Sequence, residues 1–264
     1  MTELFQKIAK VLEEVFHQLE SNCPSPAFVP YGNKGHVFRY ENETLESAIV
    51  QKTARIISGL NASLVLLKAG YVQELGALFR MLDEYDEDIL FLCQGIREEN
   101  ITELHKEYLS SFYQEEFDEP NSPIASTQNR ATIPRKKIRS FNSRIKEQEV
   151  NESDNIELQR TLSHTYSGYV HAASPHIMEM YVGNPGSFHV SGMLGTRRTQ
   201  EFEKNAWDYF YRGLITLMIV ALTFKEDDLL EKLYGLRDYV EKHSGRTEWE
   251  QPEVLMKREK SKKA

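Results

Sequence analysis

The sequence predicts an all-α protein, a bundle of about seven to nine helices with a flexible basic loop in mid-chain. Three observations predict this class. Apolar residues recur at helical spacing over most of the chain. Strand-like alternation with hairpin turns is missing, although 187–194 could pair briefly. Of the 264 residues, 40% are hydrophobic, which is enough to bury a sizeable core.

The first half of the chain predicts three or four helices. Thr2 is a plausible N-cap for the first, which stops before Cys23. The second spans 43–70, and its small residue Gly59 would let a partner helix approach closely. Gly70 either ends this helix or kinks a longer one that continues through 71–92. A further helix is predicted over 101–117.

The second half opens with a segment rich in Asn, Ser, Pro and Thr, which predicts a flexible loop over about 118–137. Ser174 and Pro175 restart a helix as N-cap and first helical residue. We expect one helical domain over 1–245 and a charged, disordered tail over 246–264. The other helices are predicted from weak periodicity near Ile138, and over 154–171, 198–225 and 226–243.

Charge is unevenly spread along the chain. The net charge is −8, yet 121–146 contains seven basic residues and no acidic one. Without this stretch and the basic tail 254–264, 20 basic residues face 39 acidic ones, and such a body repels a phosphate backbone. The basic loop 130–146 is therefore either a solvated loop or a docking site for RNA or another acidic partner; its candidate contacts are Arg135, Lys136 and Lys137.

The sequence also predicts a compartment. Only Cys23 and Cys93 are present, so a disulfide framework is not expected, and we expect a cytoplasmic protein. The longest uncharged apolar run, 213–224, is too short to span a bilayer, so no membrane contact is expected. P-loop, GxGxxG, HExxH and GxSxG motifs are absent, and we expect neither a cofactor nor a bound metal.

The stretch 164–176 is the most unusual in the chain. His164 and His171 are seven residues apart and would share a helix face with Tyr169. Such a face suits proton transfer near neutral pH or anion binding, with Tyr166 and His176 as binding residues. The alternative is that these side chains make buried hydrogen bonds between helices.

Arg80 and Glu84 form a second candidate site. They are one turn apart among large apolar residues, and Gly76 leaves space on the same face. Glu84 would hold a guanidinium ready for phosphate or carboxylate, or the two would make a structural ion pair. The acidic run 83–88 that follows is predicted to be mostly a solvated helix face.

Two segments resemble known proteins. The residues 46–60 through Arg80–Glu84, and 166–176, resemble a family of bacterial all-helical proteins over roughly 45–92 and 161–196. More loosely, the pattern is similar to the HEPN superfamily, which includes metal-independent RNases of toxin and phage-defence systems. That resemblance implies an RNase in which His171 acts on the 2′-hydroxyl or the leaving oxygen, Arg80 stabilises the phosphorane charge, and two copies build one site.

The sequence departs from the superfamily signature, an arginine followed a few residues later by a histidine. Only Arg237 and His243 fit that spacing, which makes them the alternative catalytic pair. The second functional hypothesis is a non-enzymatic interaction or small-ligand-binding protein. In that case Arg80, Glu84 and the His–Tyr face are structural or line a ligand pocket.

Overall fold

The computed structural model describes residues 2–33, 35–128, 130–143 and 165–246. Over these ranges the chain forms nine α-helices and two small hairpins, which confirms the predicted all-α class. The helices are α1 (Thr2–Ser21), α2 (Leu45–Ala69), α3 (Val72–Arg97), α4 (Glu103–Tyr113), α5 (Arg135–Asn142), α6 (Ser167–Val170), α7 (Ser174–Met178), α8 (Arg197–Phe224) and α9 (Asp227–Ser244).

The five long helices, α1, α2, α3, α8 and α9, pack into one bundle, and the short helices cover its sides. Aromatic stacking marks the centre: the rings of Phe5 and Phe210 lie 4.7 Å apart. Helices α5 and α6 both pack on α3, and α4 packs on α2. Among the described residues, no helix is both long and apolar enough to cross a membrane.

Small residues set the closest helix approaches. A Cβ on Gly59 would lie 2.7 Å from Leu82, and one on Gly213 would lie 2.6 Å from Leu60. These contacts confirm that Gly59 lets a partner helix, here α3, approach α2 closely.

Gly70 ends α2 rather than kinking it. Its φ of +77° is left-handed, which favours glycine, and α3 begins two residues later at Val72. Its carbonyl accepts a 2.8 Å hydrogen bond from the Met193 amide, which ties the α2–α3 corner to the segment before α8.

Two hairpins correct the expectation that strands are missing. Strand β1 (Ala27–Tyr31) pairs antiparallel with β2 (Gly35–Arg39), and β3 (Tyr181–Gly183) pairs with β4 (Gly186–Phe188). The first hairpin was not predicted from the sequence because Pro30 lies within β1, and a proline in a run argues against a strand. The brief pairing expected at 187–194 involves only the start of that segment.

The region before α8 also differs from prediction. Part of the helix predicted over 154–171 lies outside the described residues, and α6 covers only four residues of its end. His171 follows the end of α6, with α7 starting at Ser174 and Ala173, not Ser174, as its N-cap. His164 lies outside the described residues, so the predicted shared face of His164 and His171 stays a prediction.

Candidate functional site

Helices α6 and α7 rest on the N-terminal half of α3, where a glycine admits an aromatic ring. A Cβ on Gly76 would lie 2.7 Å from the ring of Tyr169, so only glycine leaves room for this side chain. The Gln73 amide donates a 2.7 Å hydrogen bond to the carbonyl of His176. The space that the sequence predicts beside Gly76 is therefore filled by Tyr169.

Tyr169, Glu179 and Arg198 form a hydrogen-bonded group that links α6, α7 and α8. The Tyr169 hydroxyl donates to Glu179 Oε2 at 2.7 Å and accepts from Arg198 Nη2 at 3.0 Å. Arg198 also donates hydrogen bonds to both carboxylate oxygens of Glu179, and one to Glu201 at 2.8 Å. Burial, followed by the bond to Glu179, raises the pKa of Tyr169, so the phenol keeps its proton. We use the name junction for six residues: Arg80, Tyr169, His171, His176, Glu179 and Arg198.

The His176 ring packs against the Tyr169 ring in the junction. The two rings meet edge to face with centroids 4.5 Å apart. A Cβ on Gly168 would come within 2.0 Å of the imidazole, so the ring occupies space that only a glycine leaves open. Its Nδ1 is buried and has no hydrogen-bond partner among the described residues. A buried polar atom of this kind is uncommon, and it is typical of sites that take a ligand or water.

His171 lies at the solvent side of the junction. It follows the last residue of α6, its amide bonds to the Ser167 carbonyl at 3.2 Å, and its side chain is exposed. Within the described ranges its imidazole has no ion pair or hydrogen bond. Ala172 next to it has a φ of +49°, a left-handed conformation that is unusual for alanine. The short turn therefore presents His171 to solvent two residues beyond Tyr169.

Arg80 is one turn beyond Gly76 on α3 and pairs with Glu84, as the sequence predicts. The two side chains meet at 2.7 Å through Nη2, and the Arg80 side chain is 18% exposed. Its other terminal nitrogen, Nη1, is buried without a hydrogen-bond partner among the described residues. Glu84 thus orients a guanidinium that retains unused donor capacity.

Tyr166 is mainly part of the core. Its ring meets Phe79 edge to face at 5.6 Å, and its hydroxyl accepts a 3.2 Å hydrogen bond from Asn205. Burial, followed by the charge of Asp83, raises its pKa. This placement fits the alternative of buried contacts between helices better than the binding role predicted for it.

The acidic run on α3 is buried, which corrects the prediction of a solvated face. Asp83 and Asp86 both bind Arg212 of α8, at 2.5 and 3.1 Å. Tyr209 and Thr216 donate further hydrogen bonds to them at 3.2 and 2.7 Å. Burial raises the pKa of Asp83 to about 6 against the attraction of Arg212, and it also raises the pKa of Asp86.

The run continues with Glu87 and Asp88, which bind the mid-chain basic segment. Arg139 donates to Glu87 at 2.8 Å, and Arg135 bridges Glu87 and Asp88. Lys52 of α2 completes the set at 2.8 Å from Asp88. Four buried carboxylates thus face four cations from α2, α5 and α8, and we call these eight residues the ionic chain: Lys52, Asp83, Asp86, Glu87, Asp88, Arg135, Arg139 and Arg212.

The prediction of a solvated basic loop in mid-chain is wrong in part. Residues 135–137, which the prediction counted as loop, open α5. Arg135, predicted to bind RNA, is instead committed to Glu87 and Asp88. Lys136 and Lys137 are exposed, and Lys137 lies 3.5 Å from Glu107.

Both residues of the alternative catalytic pair, Arg237 and His243, contact other residues of their own helix, α9. Arg237 binds Asp238 at 3.0 Å and approaches Glu241 at 3.8 Å. His243 Nδ1 donates a 2.8 Å hydrogen bond to the Tyr239 carbonyl, and its ring stacks on the Tyr239 ring.

The described residues contain no cluster of three or more His, Cys, Asp or Glu side chains that could hold a metal ion. In the junction, the Glu179 carboxylate accepts hydrogen bonds from Tyr169 and Arg198.

Comparisons with known proteins add no identity. No family model, no curated protein and no solved structure matches the chain.

Sequence reasoning missed two of the arginines that organise these clusters. Arg198 sits in the pair Arg197-Arg198 at the start of α8, where basic residues usually face solvent. Arg212 lies 129 positions from its partner Asp83. The available signal for Arg212 was its place within the apolar stripe of a long helix, where an unpaired charge is costly.

Proposed function

We propose that the junction binds an RNA phosphodiester and that the protein is a metal-independent RNase of the HEPN-like kind. The observation that carries the proposal is an exposed His171, without an ion pair or hydrogen bond of its side chain among the described residues, two positions beyond Tyr169, whose hydroxyl accepts a hydrogen bond from Arg198. Histidine supplies proton transfer, and preorganised guanidinium groups suit a phosphorane.

The chemical step needs only groups of this chain and the RNA. The His171 imidazole accepts the proton of the 2′-hydroxyl, and the 2′-oxygen forms a bond to phosphorus. The bond from phosphorus to the 5′-oxygen breaks, and that oxygen takes a proton from the imidazolium. Arg80 and Arg198 stabilise the charge on the phosphoryl oxygens. The products are a 2′,3′-cyclic phosphate and a 5′-hydroxyl.

The proposal includes a homodimer, since the segment around the junction exposes apolar side chains. Val190 is 73% exposed, Leu194 62% and Met178 50%. A run of exposed apolar residues is typical of a surface that another protein covers.

A second candidate function is supported by the ion pairs themselves. Arg198 is bound by two carboxylates and Arg80 by one, so their positive charges are already offset. That arrangement suits a non-enzymatic protein in which the junction holds helices together or accepts a small ligand through His176. In that case the wild type has no RNase activity, and substitution of His171 abolishes none.

Induced expression in bacteria with sampling of total RNA tests the two. We expect growth arrest and RNA cleavage for the wild type, both abolished in His171→Ala. His243→Ala serves as the matched control, because it removes the histidine of the α9 pair. Intact RNA in all three strains, at comparable levels of folded protein, would favour the non-enzymatic function.

A further inference from the structure

A second candidate site lies where three elements meet: the end of α3, the start of α4, and α5. These elements enclose a cavity of about 630 Å³. Cavities of this size bind small molecules. Its walls differ in chemistry, and each wall comes from a different helix.

The α3 wall presents hydrogen-bond acceptors. Gln94 is only 8% exposed, and its Oε1 has no hydrogen-bond partner among the described residues. Its Nε2 donates to Glu98 at 3.1 Å, which fixes the amide orientation and leaves the oxygen as the spare group. A buried acceptor without a donor is a position that a ligand N–H group can satisfy.

The α5 and α4 walls present donors. Lys136 and Lys137 line the cavity from the first turn of α5, and within the described residues Lys136 makes no ion pair. The N-terminus of α4, with Thr102 as its N-cap, also lines the cavity, as does Glu103, whose carboxylate pairs with Lys106 at 2.6 Å. First-turn amide groups and lysines together suit an anion.

The α4 wall is rigid because a buried histidine holds it. His105 is fully buried, accepts from the Thr102 amide through Nδ1 at 3.1 Å, and places Nε2 3.2 Å from the Phe91 carbonyl. Burial lowers its pKa, opposed by the bond to Phe91. Its ring packs on Phe141, whose side chain also lines the cavity and gives it an aromatic surface.

We infer that this cavity binds a small molecule with an anionic group at one end and N–H donors at the other. The anion lies between Lys136, Lys137 and the start of α4, the N–H donors meet Gln94 and Glu98, and the body of the ligand packs on Phe141. Adenine nucleotides have this chemistry, with phosphate at one end and the amino group of the base at the other. The inference is independent of RNA cleavage at the junction.

Calorimetric titration of the full chain with AMP, with adenosine and with inorganic phosphate tests the inference. We expect AMP to bind more tightly than adenosine and phosphate, because only AMP carries both the anion and the N–H donors; equal affinity for adenosine would contradict the anion site. Lys136→Ala combined with Lys137→Ala should weaken binding by at least about tenfold. Gln94→Met, which removes the acceptor at similar volume, should weaken it as well.

Lys10→Ala is the matched control, since Lys10 is exposed on α1 and distant in sequence from the cavity. Melting curves establish that each variant is folded. Failure of both organic probes to bind the folded wild type would overturn the inference, as would binding that is equally tight in the lysine and Gln94 variants. Titration of His171→Ala separates the two sites, because its ligand binding should match the wild type.

Discussion

Helix α3 carries two charged regions that differ in how far their charges are closed off. The carboxylates of the ionic chain lie around its middle, where Asp83 and Asp86 are 4% and 5% exposed and face a cation from another helix. Its N-terminal half faces the junction, where His171 is exposed. Buried nitrogens without a partner among the described residues occur in both regions, at Arg139 in the ionic chain and at Arg80 and His176 in the junction.

The difference separates two uses of charge. A chain of matched, buried ion pairs is expensive to break and fixes which helices pack together. A cluster with solvent-exposed side chains contributes less to stability and retains groups that a ligand can reach. Substitutions in the ionic chain should therefore act on stability, and substitutions in the junction should act on function.

The largest expected effect follows removal of Arg212. Arg212→Met leaves Asp83 and Asp86 buried without their cation, which should cost about 3–5 kcal/mol in the free energy of unfolding. Urea denaturation followed by circular dichroism measures this. Arg197→Met on the same helix is the matched control: its side chain is 91% exposed and its loss should change little. Equal stability of the two variants would contradict a structural role for the ionic chain.

The next effect concerns pH. Burial raises the pKa of Asp83 from 3.8 to about 6, so the folded protein binds this proton more tightly than the unfolded chain. The resulting stabilisation is complete below pH 4 and is lost as the pH rises through about 6. The loss is about 3 kcal/mol from this shift.

Asp83→Asn removes that titration. The difference in unfolding free energy between wild type and Asp83→Asn should therefore favour the wild type more at pH 4 than at pH 7. Denaturant titrations at both pH values measure the change. A constant difference would mean that the attraction of Arg212 cancels the effect of burial on the pKa, and a difference that grows toward pH 7 would mean that the attraction outweighs burial; either would contradict the raised pKa.

A smaller effect is expected where α6 meets α3. Gly76→Ala places a methyl group 2.7 Å from the Tyr169 ring and should cost about 1–3 kcal/mol. Gly235→Ala in α9 is the matched control, because a Cβ there meets nothing within 4 Å and should stabilise the helix by about 0.5–1 kcal/mol. Thermal melts of both variants measure the difference. If both substitutions stabilise the protein, the close contact between α3 and α6 is not formed in solution.

Much of the fold followed from local pattern. The predicted helix 198–225 is observed as Arg197–Phe224, and Gly59 was identified as a point of close helix approach, whereas the space expected beside Gly76 is filled by Tyr169. Such features depend on neighbouring residues, which periodicity records well.

The remaining features depend on partners distant in sequence. The acidic run looked solvated because nothing nearby indicates that Arg212, Arg135 and Arg139 come to meet it. In the junction, Tyr169 and His176 were identified from composition, but Arg198 was not, since its role arises only when α7 and α8 fold together.

The most direct test of the junction as an active site is cleavage of an RNA oligonucleotide by the purified protein in the presence of EDTA. The account predicts 2′,3′-cyclic phosphate and 5′-hydroxyl ends, a rate reduced by about 10²–10⁴ in His171→Ala, and an unchanged melting temperature for that variant. Absence of cleavage by the wild type, or equal rates for both proteins, would contradict it.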